Sequence, residues 1–365
     1  MNIEHRTSNT EHRTASKPQF EAVGEGLLVR APGKINLSLL VRGKREDEYH
    51  DIESIMAKVN WYDEILIENG KSDTAGQGTE DGGQKNVQYP IPNVECPSET
   101  IVELICKGEY KVPEGEGNLV YKAADEILKI KNKKVKSNSP AASQVSRHSG
   151  TGRTEDREQR KEGIKITLTK HMPAGSGLGS GSSDAAATLM GINKFLRMGL
   201  GQKELVRLAA ELGSDVAFFL DGPMALCTGR GEKVKKLEEC EFRVLLVVPD
   251  VSISTKRVYE NYRHDEVKYR RLSEEINIYI EKKRIDLICG MCANMLEESC
   301  FEMHPELGVL KKKIESLGIR PVGLSGSGSS MFCIINNRNE EGVNNRDKLE
   351  QELGCKSIIV NNNSW

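Results

Sequence analysis

The stretch PAGSGLGSGSSDAAATLMGINKF, residues 173–195, decides how the rest of the chain is read. It follows a segment in which Ile164, Ile166 and Leu168 alternate with polar neighbours, as a half-buried strand does. It then runs into an Ala-rich segment of good helix propensity. Gly175, Gly177, Gly179 and Gly181 open backbone conformations closed to other residues, so successive N–H groups can converge on one concavity beside a helix N-terminus. Such a concavity binds an anion, most often a phosphate. A flexible Gly/Ser linker is the alternative, but the segment turns apolar at once and carries no repeat. It is not a Gly-x-x-x-x-Gly-Lys-Ser/Thr loop, since no lysine lies inside it, and its glycines lack the dinucleotide-binding spacing. No HRD or DFG tripeptide occurs in the chain, which excludes the protein-kinase set.

Length and charge set outer bounds. At 365 residues, two domains of ordinary size are expected. With Lys+Arg 52 against Asp+Glu 54 there is no bulk field for nucleic acid or an acidic membrane, so an anionic ligand must be recognised locally. Apolar runs such as VLLVVP, residues 244–249, are far shorter than the ~20 residues that span a bilayer. Residues 1–26 lack an apolar core and mix acidic with basic residues, unlike a targeting peptide, and are expected to be a disordered extension. Nine cysteines, an odd number in apolar contexts, suit a reducing compartment, so a cytoplasmic protein is expected.

Residues 26–43, GLLVRAPGKINLSLLVRG, read as two strands with a turn at Pro32 and Gly33. In the second, Lys34 and Asn36 face away from Ile35, Leu37, Leu39 and Val41. Residues 70–97 and 131–163 carry loop and disorder-prone composition, and between them Leu119, Ala123, Ile127 and Ile130 have helical spacing. Residues 201–222 give an amphipathic helix ending near Gly213, then Ser214 and Asp215 before an apolar run, where Asp215 could simply be an N-cap. Cys289, Cys292, Cys300 and His304 can be written as a zinc set. They fall at helical intervals within one apolar helix, however, which favours small buried side chains and no metal centre.

Three stretches in one order, RAPGKINLSLLV (30–41), PAGSGLGSGSSDAAA (173–187) and GLSGSGSSMFCII (323–335), resemble the motifs of the GHMP family of small-metabolite kinases, typified by galactokinase, homoserine kinase and mevalonate kinase. REDEYHDIESIM (45–56), LGSDVAFFL (212–220) and NMLE (294–297) look like the branch that acts on 4-diphosphocytidyl-2-C-methyl-D-erythritol in non-mevalonate isoprenoid synthesis. The resemblance covers about residues 27–360. It implies an α+β fold of two domains, a ribosomal-protein-S5-like N-terminal domain at 27–235, with 70–97 and 131–163 as insertions, and a ferredoxin-like C-terminal domain at 240–365. The active site would lie in the cleft between them.

The same resemblance implies ATP and Mg²⁺ as cofactors and a small-molecule substrate. Pro173, Ala174, Gly175, Ser176, Gly177, Leu178, Gly179, Ser180, Gly181, Ser182 and Ser183 would hold the ATP phosphates, with Ser182 and Ser183 as candidates for contact with Mg²⁺. Asp215 would be general base or orienting carboxylate, paired with Lys34, whose ammonium offsets charge on the transferred phosphoryl. Asn36 would contact substrate, Tyr49 and His50 would bracket the cytosine, and Thr255 and Tyr259 would add a hydroxyl and a second aromatic. An aromatic face stabilises a stacked base by about 1–3 kcal/mol. Gly326 and Gly328 would approach the phosphates, Asn118-Leu119 would open the adenine-side helix, and Asn294 would be structural support. The chain departs from the pattern at Glu48, where glycine is usual, at Ser254, where proline is common, and at Tyr259, where phenylalanine is expected. A monomer or homodimer is expected. The alternatives are a kinase for homoserine or mevalonate, a catalytically silent nucleotide-binding protein, and a zinc-dependent interaction protein.

Overall fold

The computed structural model describes residues 19–70, 101–138, 163–335 and 339–362. Residues 1–18 of the expected extension and most of both expected insertions lie outside them. Two strands open the described chain, β1 (Phe20–Val23) and β2 (Gly26–Lys44). Residues 20–23 therefore do not belong to a disordered tail: they pair antiparallel with Gly26 to Val29 across a tight turn. β2 corrects a second expectation. It is one strand of 19 residues, and Pro32-Gly33 is a register shift against its partner rather than a turn. A Cβ at Gly33 would lie 2.8 Å from Met172 Sδ, so close packing selects glycine there.

β3 (His50–Gly70) pairs with β2 along its whole length, with β5 (Gly163–Lys170) at its far end and with β6 (Met224–Gly229) at its near end. β4 (Ile101–Gly108) lies parallel to β5, and β7 (Lys233–Lys236) closes a hairpin with β6, giving a seven-stranded sheet. As the alternation of Ile164, Ile166 and Leu168 predicts, β5 is half-buried. Helices α1 (Leu119–Asn138), α2 (Ser180–Phe195), α3 (Gln202–Leu212) and α4 (Val216–Phe219) share one apolar core with Leu27, Val29, Ala31, Ile65 and Ile67 of the sheet. α1 runs on through residues 131–138, so the expected insertion begins no earlier than residue 139. The lysine-rich run has adequate helix propensity and prolongs the helix by about two turns.

The second half is built on a four-stranded antiparallel sheet of β8 (Arg243–Val248), β9 (Gly323–Leu324), β10 (Met331–Ile335) and β11 (Lys356–Asn361), ordered β11-β8-β10-β9. Its helices are α5 (Thr255–Asn261), α6 (Glu266–Glu281), α7 (Ile285–Met291), α8 (Glu297–Met303), α9 (Pro305–Ser316) and α10 (Asn339–Leu353). The core of this half continues into Ile35, Leu37, Leu39 and Val41 of β2. β2 is thus covered by helices at one end and by the second half at the other, and it is buried from Val29 to Val41. Lys34 and Asn36 are therefore not on a solvent face. Polar threads cross the seam as well: Leu39 N–H donates to Ala293 O (2.8 Å), and Met295 N–H donates to Leu39 O (2.9 Å).

α2 sits close to the sheet because Gly191 has no side chain. A Cβ there would meet Ile67 Cδ1 at 2.5 Å and Val29 Cγ2 at 2.8 Å. Gly191→Val is expected to lower stability by about 1–3 kcal/mol through overpacking. A urea titration checks this: the midpoint should fall with the m-value unchanged.

Candidate active site

The glycine loop leaves β5 and enters α2. Gly175, Gly177 and Gly179 have φ of 67, 79 and 66°, whereas Gly181 already lies inside the helix, so three of the four glycines are demanded by backbone conformation. The α2 N-terminus has no side-chain cap and no acid in its first turn. Its first N–H groups stay available to an anion, with the helix dipole behind them. The second glycine loop, between β9 and β10, locks against the first. Ser325 Oγ–H donates to Gly177 O (2.9 Å), Ser330 N–H donates to Ser176 O (3.0 Å), and a Cβ at Gly177 would lie 2.0 Å from Ser325 O.

Beside these loops opens a cleft of about 1070 Å³, beyond the roughly 300–1,000 Å³ of an ordinary single-ligand pocket. Residues 173–177 and 179–182 line it, together with Lys34, Asn36, Asp215, Thr255 and Gly326. Leu178, Ser183 and Gly328 do not. Leu178 is buried in the core and offers only its carbonyl, which accepts from Lys34 N (2.9 Å). Ser183 is buried behind the loop, and Gly328 closes the turn by donating to Ser325 O (3.0 Å).

Lys34 Nζ lies 3.6 Å from Asp215 Oδ2 and donates to Asn36 Oδ1 (2.5 Å). The ammonium is buried, while the Asp215 side chain keeps 28% of its surface, enough for an incoming hydroxyl to reach it. Asn36 is fixed in turn: its Nδ2–H donates to Ser54 Oγ (2.8 Å), and Ser54 Oγ–H donates to Ser38 O (2.6 Å). Asp215 occupies the N-cap position of α4 without making a cap hydrogen bond, so its carboxylate is not consumed by the helix.

The far end of the cleft is aromatic. His50 stacks on Tyr259 with centroids 5.2 Å apart, and Tyr262 meets the His50 edge at 6.0 Å. Tyr49 is 55% exposed, with the Arg230 guanidinium 5.0 Å over its ring. Tyr49 and His50 thus face different neighbours across one pocket. Burial, followed by the Lys44 and His264 charges, lowers the His50 pKa, leaving at neutral pH an imidazole with one donor and one acceptor nitrogen. Burial, then Asp215, raises that of the Tyr259 phenol. Thr255 Oγ1 lies 2.8 Å from Ser327 Oγ, which joins the aromatic end to the second glycine loop. The departures noted in the sequence have local solutions. Glu48 takes the left-handed conformation of the missing glycine (φ 66°) and pairs with Lys44, and Ser254 caps α5.

Asn118 opens α1 by accepting from Val120 N–H (2.9 Å), and Leu119 lines the cleft beside Gly181. Asn294 is structural, as expected: its Nδ2 donates to Leu324 O (2.8 Å) and Gly326 O (2.7 Å), carrying the second glycine loop. Cys289, Cys292, Cys300 and His304 are not on one helix. They lie in or at the ends of α7 and α8, the cysteines within or against the apolar core, and His304 meets Glu306 at 3.1 Å. Burial raises the pKa of all three thiols. Among the described residues no group of three or more His, Cys, Asp or Glu side chains could hold a metal ion.

Two features escaped sequence reasoning. Lys170, at the end of β5, donates to Asp63 and to Asp184 Oδ2 (2.7 Å) with all three side chains buried, while His171 and Met172 N–H groups donate to Asp63 Oδ1 at 2.5 and 2.9 Å. This triad ties the strand before the loop to the helix after it. Burial pushes the Asp184 carboxyl well above the usual carboxylate range. Burial opposes the Lys170 charge, but Asp184 and Asp63 more than offset it. The other feature is Lys58, fully buried, whose Nζ donates to Phe219 O (3.1 Å) and Asp221 O (2.6 Å) at the C-terminal end of the helix that Asp215 begins. Burial, reinforced by Lys236, lowers its pKa to about 7. An acidic residue at the head of the Ala run, at 184, was a readable signal, but its partner 121 positions earlier was not (184 − 63).

Residues 118–223 match the family GHMP kinases N terminal domain, and residues 264–346 match GHMP kinases C terminal. The chain is 34% identical over 315 residues to the 4-diphosphocytidyl-2-C-methyl-D-erythritol kinase of Bacillus cytotoxicus, covering 85% of this chain and 88% of that protein. It is 33% identical over 312 residues to the kinase of the same name from Bacillus mycoides, with the same coverage. A crystal structure of 4-(cytidine 5'-diphospho)-2C-methyl-D-erythritol kinase superposes with TM-score 0.59 at 25% identity, covering 91% of this chain and 98% of that one. Homoserine kinase from Cytophaga hutchinsonii shares the fold, with TM-score 0.62 at 18% identity, covering 95% and 98%.

Lys170→Met would leave the buried Asp63 and Asp184 without their cation and is expected to cost about 3–5 kcal/mol. Adding Asp63→Asn and Asp184→Asn should recover much of that loss in urea unfolding. For Lys58 the sign runs the other way from a salt-bridged lysine. The unfolded chain keeps that proton to about 10.5 whereas the folded chain releases it near about 7. The unfolded state therefore binds more protons between those values, and stability relative to Lys58→Met should rise with pH from 7 to 9, by at most about 1.4 kcal/mol per pH unit. Paired urea titrations across that range read it directly.

Proposed function

Because the chain belongs to the GHMP kinases, and within them to the 4-diphosphocytidyl-2-C-methyl-D-erythritol kinases, we propose that it transfers the γ-phosphoryl of ATP to the 2-hydroxyl of that substrate. The product would be the 2-phosphate, on the non-mevalonate route to isopentenyl diphosphate. The observation that carries the reading is the meeting of Lys34 and Asp215, 3.6 Å apart and from distant parts of the chain, at the edge of an uncapped helix N-terminus.

In this reading the ATP polyphosphate lies against the loop at 173–182, where backbone N–H groups and the α2 dipole carry its charge. Asp215 orients the acceptor hydroxyl and receives its proton, and Lys34 offsets the charge developing on the transferred group. Asn36 fixes the lysine head by accepting from it. Positioning and charge stabilisation are most of what phosphoryl transfer requires. Mg²⁺ would arrive with the nucleotide and neutralise part of the phosphate charge. The Ser182 hydroxyl on the cleft wall is an oxygen donor of the kind a hard cation takes, whereas Ser183, buried behind the loop, is not placed for that role. The stacked His50 and Tyr259, with Tyr49 opposite, suit a pyrimidine, and an imidazole kept neutral by burial can read its edge.

Among the described residues no helix is long and apolar enough to cross a membrane. A cytoplasmic location fits the use of ATP and the eight described cysteines, all free thiols. A monomer or a homodimer is the expected assembly.

A coupled ADP-release assay with the cytidine-linked substrate, homoserine and mevalonate tests the reading. Turnover is expected with the first only. Asp215→Asn should lower kcat by about 10²–10⁴-fold with the fold intact by circular dichroism. Wild-type kcat in that variant would remove the base assignment.

A further inference from the structure

The proposed substrate has its charge in the middle. A diphosphate joins the cytidine, at the aromatic end of the cleft, to the methylerythritol, whose hydroxyl must reach Asp215. The lysines on the cleft wall each already face a carboxylate. Lys34 is committed to Asp215 and Asn36, Lys44 is paired with Glu48, and Lys256 lies 3.8 Å from Glu260.

Arg230 is the remaining cation on the cleft wall among the described residues. It sits on the turn between β6 and β7, and two contacts fix that turn. Arg230 N–H donates to Glu232 Oε2 (2.7 Å), and Gly231 N–H donates to Thr228 O (3.2 Å). The turn touches both ends of the proposed substrate path. A Cβ built on Gly231 would lie 3.5 Å from Asp215 Oδ1, while the Arg230 guanidinium covers the Tyr49 ring at 5.0 Å. The guanidinium has no carboxylate partner within ion-pair distance among the described residues. Asp47, held low chiefly by Arg45 and less by Arg230, is bonded to Arg45 at 3.1 Å. Stacking on Tyr49 immobilises the planar head without neutralising it or using all of its N–H donors, which is the state in which arginine recognises phosphate oxygens in pairs.

We propose that Arg230, held on Tyr49, is the specificity residue that binds the diphosphate bridge of the acceptor substrate. The assignment rests on the functional reading above. It makes Tyr49 a shelf for the arginine as well as a neighbour of the base. It also gives the cleft a reason to favour a nucleoside diphosphate ester over an uncharged cytidine conjugate.

The test compares CDP with cytidine as competitive inhibitors against the cytidine-linked substrate, in the wild type, Arg230→Gln and Arg230→Lys. In the wild type CDP should bind more tightly than cytidine. In Arg230→Gln the CDP inhibition constant should rise about ten- to a hundredfold, the loss of one charge-assisted contact, with cytidine held as before. The KM for the acceptor should rise with it while the KM for ATP stays put. Arg230→Lys should recover part of the preference, since it keeps the charge and loses the paired geometry. Equal weakening of CDP and cytidine, or an unaltered ratio, in an enzyme that still turns over the substrate would overturn the diphosphate assignment alone. Absence of turnover in the wild type would overturn the functional reading and this assignment together.

Discussion

Everything at the site depends on two backbones approaching each other more closely than a side chain allows. At Gly177 the hydrogen that replaces a Cβ faces the Ser325 carbonyl, and an added carbon would lie 2.0 Å from that oxygen. The contact joins the helix-entry loop of the first half to the β9–β10 loop of the second, and Ser325 Oγ and Ser330 N–H then bond across it. No compensating shift of a flexible side chain is available, because both partners are main chain. The glycine is needed twice over, for its φ of 79° and for the missing Cβ. The relative placement of the first glycine loop and Thr255, which reaches the second loop through Ser327, follows from this seam.

The buried ammonium of Lys34 is the second constraint. β2 is enclosed on both faces, so a lysine on it must meet its hydrogen-bonding needs internally. It does so with one carboxylate and one amide oxygen, and the amide is pinned by Ser54, itself pinned by the Ser38 carbonyl. Three strand positions of alternating register, 34, 36 and 38, thereby form a polar seam through an otherwise apolar strand. The same chemistry recurs under the loop at Asp63, Lys170 and Asp184, where a buried cluster fixes the backbone of His171 and Met172.

How much of this was readable follows from range. The loop, its strand and its helix are local, and glycine spacing, alternation and an Ala run announce them within 32 residues, 164–195. Lys34 and Asp215 carried roles only through resemblance to a family, because nothing in local pattern says that residues 181 positions apart will meet (215 − 34). The misreadings have physical causes. Pro32-Gly33 looks like a turn until packing against Met172 makes it a register shift. Residues 20–23 look like tail because a four-residue edge strand has no periodicity to detect. Residues 131–138 look like loop because charge masks helix propensity. The cysteines at 289, 292 and 300 fall at helical spacing, yet Cys292 has φ of 46° and breaks the helix between them, a conformation that spacing cannot reveal.

The electrostatic plan of the molecule explains why both halves must contribute. A chain with a formal net charge of −2 has no general field with which to draw in two polyanions. What its cleft offers instead is the oriented dipoles of the α2 N-terminus and single cations whose surroundings decide how much of their charge is available. Lys34 and Lys44 each face a carboxylate, Asp215 and Glu48, whereas Arg230 faces the Tyr49 ring. The aromatic wall is likewise divided, with His50 on β3 and Tyr259 on α5, so stacking exists only once the halves are docked. Glu53 secures that docking independently of any ligand, accepting from Tyr269 (3.2 Å) and Ser273 (3.0 Å) of α6. Because the seam is held by packing and by hydrogen bonds outside the cleft, Lys34, Asp215 and the glycine loop are held in their places by the protein itself. Preorganisation of that kind is where a reaction governed by orientation and charge gains most of its rate.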